Sequence, residues 1–241
     1  MKIIKQITDF FFSLSTTLWL LGLLLLLLFA GAFIMPGTQE FQEIHSIPLF
    51  DWLQTEPLKI TWWLWGLTGI LAILALNTIF CSIESIVRKR KVTQWLLLIS
   101  PQIIHIGFLF MIFAHLLSAI GASQELAVVR EGSLVKISAN TLLKIEDINI
   151  NIDYYGYITG WAISVEYLSD GKTFKKDIIK PNNPSVHMGF NINVKDLRAY
   201  PVEAVLLQIN KEPGALWALI GGVLFMAGIV TLIILKIKVE R

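Results

Sequence analysis

The sequence predicts an integral membrane protein with four transmembrane α-helices and a small all-β, sandwich-like extracytoplasmic domain between helices three and four. Hydrophobic residues make up 55% of the 241 residues, and the mean hydropathy is +0.65, far above that of a soluble domain. The excess lies in four runs that can each cross a hydrocarbon core, which needs about 20 apolar residues. Between the third and fourth runs, residues 123–212 alternate between apolar and polar side chains, as half-buried strands do.

The first transmembrane helix is predicted at about residues 16–36. Lys2 and Lys5 precede it, as they would in a secretory signal, but its apolar run from Leu18 to Met35 is longer than the usual signal core of about 7–15 residues. We therefore expect this helix to be retained. Residues 3–15 form either an interfacial helix or a cytoplasmic extension of helix one.

Helices two and three are predicted at about residues 60–87 and 95–121, and the distribution of basic residues orients them. Lysine and arginine are concentrated at both termini and in the loop at 88–91, whereas the loop at 36–59 contains only Lys59. Basic residues in short loops favour the cytoplasm. We expect a multi-pass protein of the cell inner (cytoplasmic) membrane, with both termini cytoplasmic and the β domain outside.

The extracytoplasmic β domain is predicted at residues 123–212, with residues 1–122 forming the first membrane region and residues 213–241 the last helix and a short cytoplasmic tail. Ile148, Ile150 and Ile152 alternate with polar residues, as in a half-buried strand. The pair Asp170-Gly171 suits a tight hairpin turn whose two central residues have positive φ. The pattern predicts about six or seven strands. The domain contains no cysteine, so packing alone must stabilise it.

Two histidines in the third apolar run are the leading candidates for a binding site. His105 lies near the middle of the predicted span and His115 near its outer end, ten residues apart and therefore about 80° apart in azimuth. Ionisable residues inside a membrane usually face a bundle interior, a cavity or a cofactor. Each imidazole is either a ligand of haem iron or a hydrogen-bonding partner of a neighbouring helix. For His115, an ordinary interfacial role is favoured.

Other candidate residues have simpler explanations. His45 and His187 are expected to be solvated surface residues, and Cys81 a small buried apolar residue. The aromatic stretch from Thr61 to Trp65 is expected to lie in an interfacial aromatic belt rather than to form a cofactor shelf. We find no pattern typical of hydrolysis, phosphoryl transfer or nucleic-acid binding.

Four stretches along the chain resemble a known family. They are NTIFCSIESI at residues 77–86, HIGFLFMIFAHLLSAIGASQELAVVREG at 105–132, NNPSVHMGFNI at 182–192 and INKEPGALWALIGGVLFMAGI at 209–229. In their order and topology, these stretches resemble the ResB family of System II (Ccs-type) cytochrome c biogenesis proteins. No one of the four is very specific alone, but together they extend over most of the chain.

The resemblance implies a function, partners and a site residue. Members of the family act with a CcsA/ResC-type membrane haem-handling protein, which carries a tryptophan-rich motif. The two proteins export haem b and attach it to the CxxCH cysteines of apocytochrome c outside the membrane. A transmembrane histidine holds the haem in transit, and His105 is the matching position here. His105 is therefore the expected axial ligand, with His115 as the weaker candidate.

This chain departs from larger members of the family because its external domain is short and it has no tryptophan-rich motif. The resemblance therefore implies an accessory subunit of a cytochrome c haem lyase rather than a complete enzyme. The alternative is a haem-free membrane scaffold whose β domain docks a partner protein. A visible absorption spectrum of the purified protein distinguishes the two.

Overall fold

The computed structural model describes residues 10–88 and 95–240. Several sequence predictions fall outside the described residues. These are Lys2, Lys5, most of the basic loop at 88–91, Arg241, and the first part of the segment at 3–15. The chain divides into two compact units. A helical unit contains the long helices, and a β unit contains residues 45–47 and 121–212.

Within the described residues, four helices are long and apolar enough to cross a membrane. These four are α1 (Leu14–Ile34), α3 (Leu58–Arg88), α4 (Trp95–Gly121) and α5 (Ala215–Glu240). The short helix α2 (Leu49–Thr55) precedes α3. The prediction of four candidate membrane helices with a β domain before the last is confirmed. Their insertion and sidedness remain predictions.

Helices α1 and α3 pack through leucine and isoleucine side chains, and a second cluster forms where the chain leaves α1. In that cluster Trp63 is buried against Phe41 and Trp52. A Cβ atom at Gly31 would overlap the Trp63 ring, so only glycine permits this contact. Trp63 therefore lies inside the protein, and the prediction that the stretch from Thr61 to Trp65 forms a lipid-facing belt is wrong for this residue. Trp62 and Trp65 remain exposed.

Helices α4 and α5 approach closely along a line of small residues spaced seven apart. Ser100, Gly107 and Ala114 lie on α4 and are buried, and they face Gly214, Gly221 and Gly228 on or next to α5. A Cβ atom built on Gly107 would lie 2.5 Å from the backbone nitrogen of Phe225. Small residues allow this approach of two backbones, which is the usual way that helices associate in lipid.

The β unit consists of eight antiparallel strands in two four-stranded sheets, with the orders β1-β8-β7-β6 and β2-β3-β4-β5. The strands are β1 (Ser123–Val129), β2 (Leu134–Ser138), β3 (Thr141–Ile152), β4 (Ile158–Ser169), β5 (Lys172–Ile179), β6 (Ser185–His187), β7 (Phe190–Arg198) and β8 (Ala204–Lys211). One apolar core unites both sheets, with Leu143, Ile163 and Tyr167 from one and Ile192 and Leu207 from the other. The sandwich-like prediction is confirmed.

The strand count and one strand boundary differ from the sequence prediction. The described residues contain eight strands rather than six or seven, because β6 has only three residues and shows no alternation of its own. Strand β3 begins at Thr141, seven residues before Ile148, since charged residues in its first half hide the period. The predicted turn at Asp170-Gly171 is confirmed, with φ values of 50° and 75°.

Candidate functional site

His105 is positioned by a hydrogen bond to α3. Its Nδ1 atom lies 2.7 Å from Oγ of Ser82, and the Ser82 hydroxyl donates to the backbone oxygen of Thr78 at 2.8 Å. A serine inside a helix often donates its hydroxyl proton to the carbonyl oxygen four residues earlier, which lies within reach of its short side chain. These two hydrogen bonds connect the imidazole on α4 to α3.

The arrangement of the two contacts is compatible with the tautomer of His105 that suits metal binding. A carbonyl oxygen can only accept, so the one hydroxyl proton of Ser82 goes to Thr78 when both bonds are made. Nδ1 of His105 must then carry the proton that it donates to Ser82. Nε2 is left as an acceptor with a free electron pair, the form in which a neutral imidazole binds a metal. Outer hydrogen bonds of this kind orient metal-binding histidines and raise their basicity.

A cleft of about 410 Å³ lies beside His105 within the helical unit. Its lining combines apolar and polar side chains, and it includes Phe12, Leu14, Thr17, Asn77, Cys81 and Glu84. Pockets of a few hundred Å³ with a small number of placed polar groups are typical of small-molecule sites. Cys81 is only half-buried, and its thiol lies 3.5 Å from the backbone oxygen of Phe11.

Asn77 holds the wall of the cleft together. Its side chain is fully buried, and its amide group donates to the backbone oxygen of Phe11 at 2.8 Å. Its Oδ1 atom accepts from the hydroxyl of Thr17 at 2.6 Å. A buried amide satisfied in this way fixes the residues before and within α1 against α3, and α3 is the helix that also carries Ser82.

Gln102, on the same helix as His105, is a buried polar residue. Neither Nε2 nor Oε1 of Gln102 has a hydrogen-bond partner among the described residues. It precedes His105 by three residues, which places it about 4.5 Å away along the axis and about 60° around it. An unsatisfied amide inside an apolar bundle is costly, and this one can both donate to and accept from a polar group of a bound molecule.

The structure does not bring the other histidines to this site. His115 is exposed, and its Nδ1 atom donates to the backbone oxygen of Met111 at 2.7 Å. His45 and His187 both belong to the β unit. His187 is half-buried between the rings of Tyr167 and Phe174, so the expectation of a solvated residue is wrong for it. Across residues 10–88 and 95–240, no three His, Cys, Asp or Glu side chains are grouped to hold a metal ion.

The polar interactions of the β unit are of a different kind. Lys176 bonds to Glu166, and this bond holds the pKa of the Glu166 carboxyl below its usual range. Ser185 donates to Asp177 at 2.6 Å and accepts from the Tyr167 hydroxyl at 2.7 Å. Burial raises the pKa of Tyr167 against the opposing effect of the Ser185 bond. The Lys176–Glu166 bond joins two strands of one sheet, and the Ser185 bonds link the two sheets. Both indicate a structural role.

The fold and the site together define a protein with four candidate membrane helices, a β-sandwich and one oriented histidine inside its helical unit. No protein-family model and no curated protein matches the chain. A solved structure of the cytochrome c heme lyase CcmF is similar to it, with a TM-score of 0.46 and 12% sequence identity. The match covers 91% of this chain and 34% of that protein. The chain thus spans about a third of that protein's length, and a likeness of this degree establishes neither a common family nor a common activity.

Proposed function

We propose that the chain is a ResB-type accessory subunit of a System II cytochrome c haem lyase, and that it binds haem during transfer across the membrane. The observation that supports this most directly is the bond from His105 to Ser82. When Ser82 donates its proton to Thr78, this bond leaves Nε2 of the imidazole with a free electron pair beside a cleft. A histidine that served only to join two helices would need no such cleft.

The chain's own residues have distinct roles in this proposal. His105 supplies one axial nitrogen to the iron of the cargo. Ser82 fixes the ring plane and the tautomer, so no proton has to leave Nε2 before the iron binds. Asn77 keeps the start of α1 against α3, and Gln102 offers an amide one turn along the helix from His105.

The partners of the proposed complex follow from the family resemblance of residues 77–86, 105–132, 182–192 and 209–229. They are a CcsA/ResC-type membrane haem-handling protein, which would supply the tryptophan-rich motif, and an apocytochrome c that accepts the haem b. The site of action is the cytoplasmic membrane, with transfer completed on the side of the β unit.

The test is replacement of His105 in the complex, with a visible absorption spectrum and cytochrome c maturation as readouts. We expect His105→Ala to remove the bound haem and abolish maturation while the protein still inserts. In His105→Gly, added imidazole should enter the space and restore part of both signals, because the lost group is a simple ligand. His115→Ala is the matched control on the same helix and should retain the haem.

A different result would favour the haem-free scaffold. If His105 only joins helices, its hydrogen bond is worth about 0.6–2 kcal/mol, and His105→Ala would be slightly less stable with an unchanged haem spectrum. Such a spectrum would end the proposal that His105 is an iron ligand.

A further inference from the structure

The hairpin of β6 and β7 presents two apolar side chains to its surroundings. Met188, in the turn, is 80% exposed, and Val186, two residues earlier, is 59% exposed. We call residues 186–189 the methionine turn. A single exposed apolar residue is ordinary on a protein surface, but the conformation of this turn and its position in the fold both require an explanation.

The backbone of the turn does not favour methionine. Met188 and Gly189 are the two central residues of a hairpin that is closed by the pair His187 and Phe190, and their φ values are 47° and 81°. Positive φ at both positions is typical of the turn that prefers Asn-Gly. A long side chain rarely adopts this left-handed conformation. Turn formation alone would therefore select another residue at position 188.

Packing inside the β unit does not explain the methionine either. The ring of His187 contacts the ring of Tyr167, and Phe190 packs against the apolar core. Among the described residues, that core includes neither Met188 nor Val186. The residues on both sides of the turn thus face the core, while the methionine side chain remains available for a contact outside the β unit.

The pairing of the strands locates the methionine turn at one end of its sheet. Phe190 on β7 pairs with Lys211 on β8, and Lys211 pairs with Ser123 on β1. The backbone oxygen of Gly189 accepts from the N–H of Glu212 at 3.3 Å. The turn therefore lies at the end of the sheet where β1 begins and β8 ends.

The same end of the sheet is joined directly to two candidate membrane spans. Ser123 follows Gly121, the last residue of α4, by two positions, and Glu212 precedes Ala215, the first residue of α5, by three. Three residues can extend to at most about 11 Å, and a headgroup layer is about 5–8 Å thick on each side of the hydrocarbon core. The covalent chain alone therefore keeps Glu212 in or next to the headgroup layer of a membrane that α5 enters at Ala215.

We propose that the methionine turn inserts Met188 into the headgroup layer of the phospholipid membrane that α4 and α5 span. The unbranched thioether is apolar and flexible, so it adapts to irregular surroundings. Lys211 is exposed at the same end of the sheet, and a lysine can place its ammonium beside a phosphate while its stem covers apolar surface. Apolar side chains beside a basic residue are typical of segments that lie in the membrane interface.

This contact gives the β unit a third attachment to the membrane. The first two are the connections to α4 and α5, which leave the sheet from the neighbouring strands β1 and β8. β7 lies on the other side of β8, and adjacent strands are about 5 Å apart. Three attachments spread across neighbouring strands restrict tilting of the sheet more than two do.

The experiment uses the full-length protein in phosphatidylcholine nanodiscs, in the background Cys81→Ser, which removes the single native cysteine. Met188→Cys is labelled with an environment-sensitive fluorophore. Nanodiscs that contain phospholipid with a nitroxide near the top of the acyl chain are compared with unlabelled nanodiscs. We expect a blue-shifted emission and a loss of fluorescence in the nitroxide nanodiscs, because quenching requires the fluorophore to lie among the lipids.

The matched control carries the same fluorophore at Val128→Cys. Val128 is 74% exposed, and it pairs with Leu206, five residues before Lys211 on β8, which corresponds to about 17 Å along the strand. The fluorophore at this position should not be quenched. Absence of quenching at position 188, or equal quenching at both positions, would overturn the proposal.

A second measurement leaves Met188 and Cys81 unchanged, so the test remains decisive if the cysteine variants fail to fold. Val128→Met provides a reference thioether in the same molecule, and hydrogen peroxide converts both methionines to the sulfoxide. Met188 should be oxidised more slowly, because aqueous peroxide reaches a sulfur among lipids less readily. Equal rates would contradict the proposal. Slow oxidation without quenching by lipid would indicate that protein covers the turn, which would also overturn it. Neither readout involves haem, so the result is independent of the proposed function.

Discussion

Replacement of Gly221 by alanine should destabilise the helical unit by about 1–3 kcal/mol relative to replacement of Gly222. A Cβ atom at Gly221 would lie 2.7 Å from the backbone oxygen of Gly107 and 2.9 Å from the backbone nitrogen of Met111. Ordinary contact begins at 3.4 Å. Because backbone atoms cannot rotate away as a side chain can, α4 and α5 must separate locally by about 0.7 Å, the difference between 3.4 and 2.7 Å.

The neighbouring glycine makes the comparison quantitative. A Cβ atom at Gly222 would meet nothing within 4 Å. Both substitutions gain the same helix propensity, about 0.5–1 kcal/mol for alanine over glycine. That gain cancels in the comparison, and the remaining difference reports the contact between α4 and α5.

The assay is thermal unfolding of both variants in the same nanodiscs, followed by the helical circular dichroism signal. Gly222→Ala should unfold at or slightly above the wild-type temperature, and Gly221→Ala clearly below it. Equal unfolding temperatures for the two variants would refute the argument that close backbone packing at Gly221 stabilises the bundle.

Three further predictions concern the site, the β unit and the topology. If His105 binds haem as proposed, Ser82→Ala should shift the midpoint potential and the absorption maximum of that haem, whereas Ser82→Thr, which keeps the hydroxyl, should not. Identical spectra in both variants would contradict the positioning role. The pKa of Glu166 lies below its unfolded value, so its stabilising effect is present above the unfolded pKa and is lost as the pH falls through the folded pKa. Glu166→Gln should flatten acid unfolding below the ordinary pKa of glutamate, and an unchanged acid limb would count against the ion pair. A reporter active only outside the cytoplasm should work when fused after Gly171 and fail after Lys89, and activity at Lys89 would reverse the expected orientation.

The sequence alone predicts those features of this fold that depend on local patterns. The four long helices follow from runs of apolar residues, because length and hydropathy are local quantities. The turn at Asp170-Gly171 follows from the tolerance of these two residues for positive φ. The three-residue β6 has too few residues to show a period, and its pairing with β7 is established only by the fold.

Of the residues that form the candidate site, the sequence alone predicts His105 but not its partners. His105 is conspicuous in an apolar run, but its partner Ser82 lies 23 residues earlier on another helix. Serine is common in such helices, so nothing in the local sequence distinguishes it. The same is true of Asn77, whose partners lie 60 and 66 residues away.

The close contact between α4 and α5 also had a signal in the sequence, but this signal is clear only when the two helices are compared. Gly214, Gly221 and Gly228 are spaced seven residues apart. Ser100, Gly107 and Ala114 have the same spacing. Either series alone is a weak pattern. Trp63 shows the opposite case, since its neighbours Trp62 and Trp65 favour a belt and only the contact with Gly31 shows that it lies inside.

The strand order of the β unit has a consequence for the synthesis of the chain. β1 lies between β8 and the segment at His45, whose backbone oxygen accepts from the N–H of Gln124. The part of β8 that pairs with β1 runs from Val205 to Lys211, more than 75 residues later in the chain. During translation, β1 must therefore wait without this partner until the last strand has emerged, immediately before α5 begins at Ala215. Loop closure over such a distance is slow. A nascent chain interrupted between β7 and β8 would thus expose the edges of both β1 and β7, which would make it a ready substrate for chaperones and proteases.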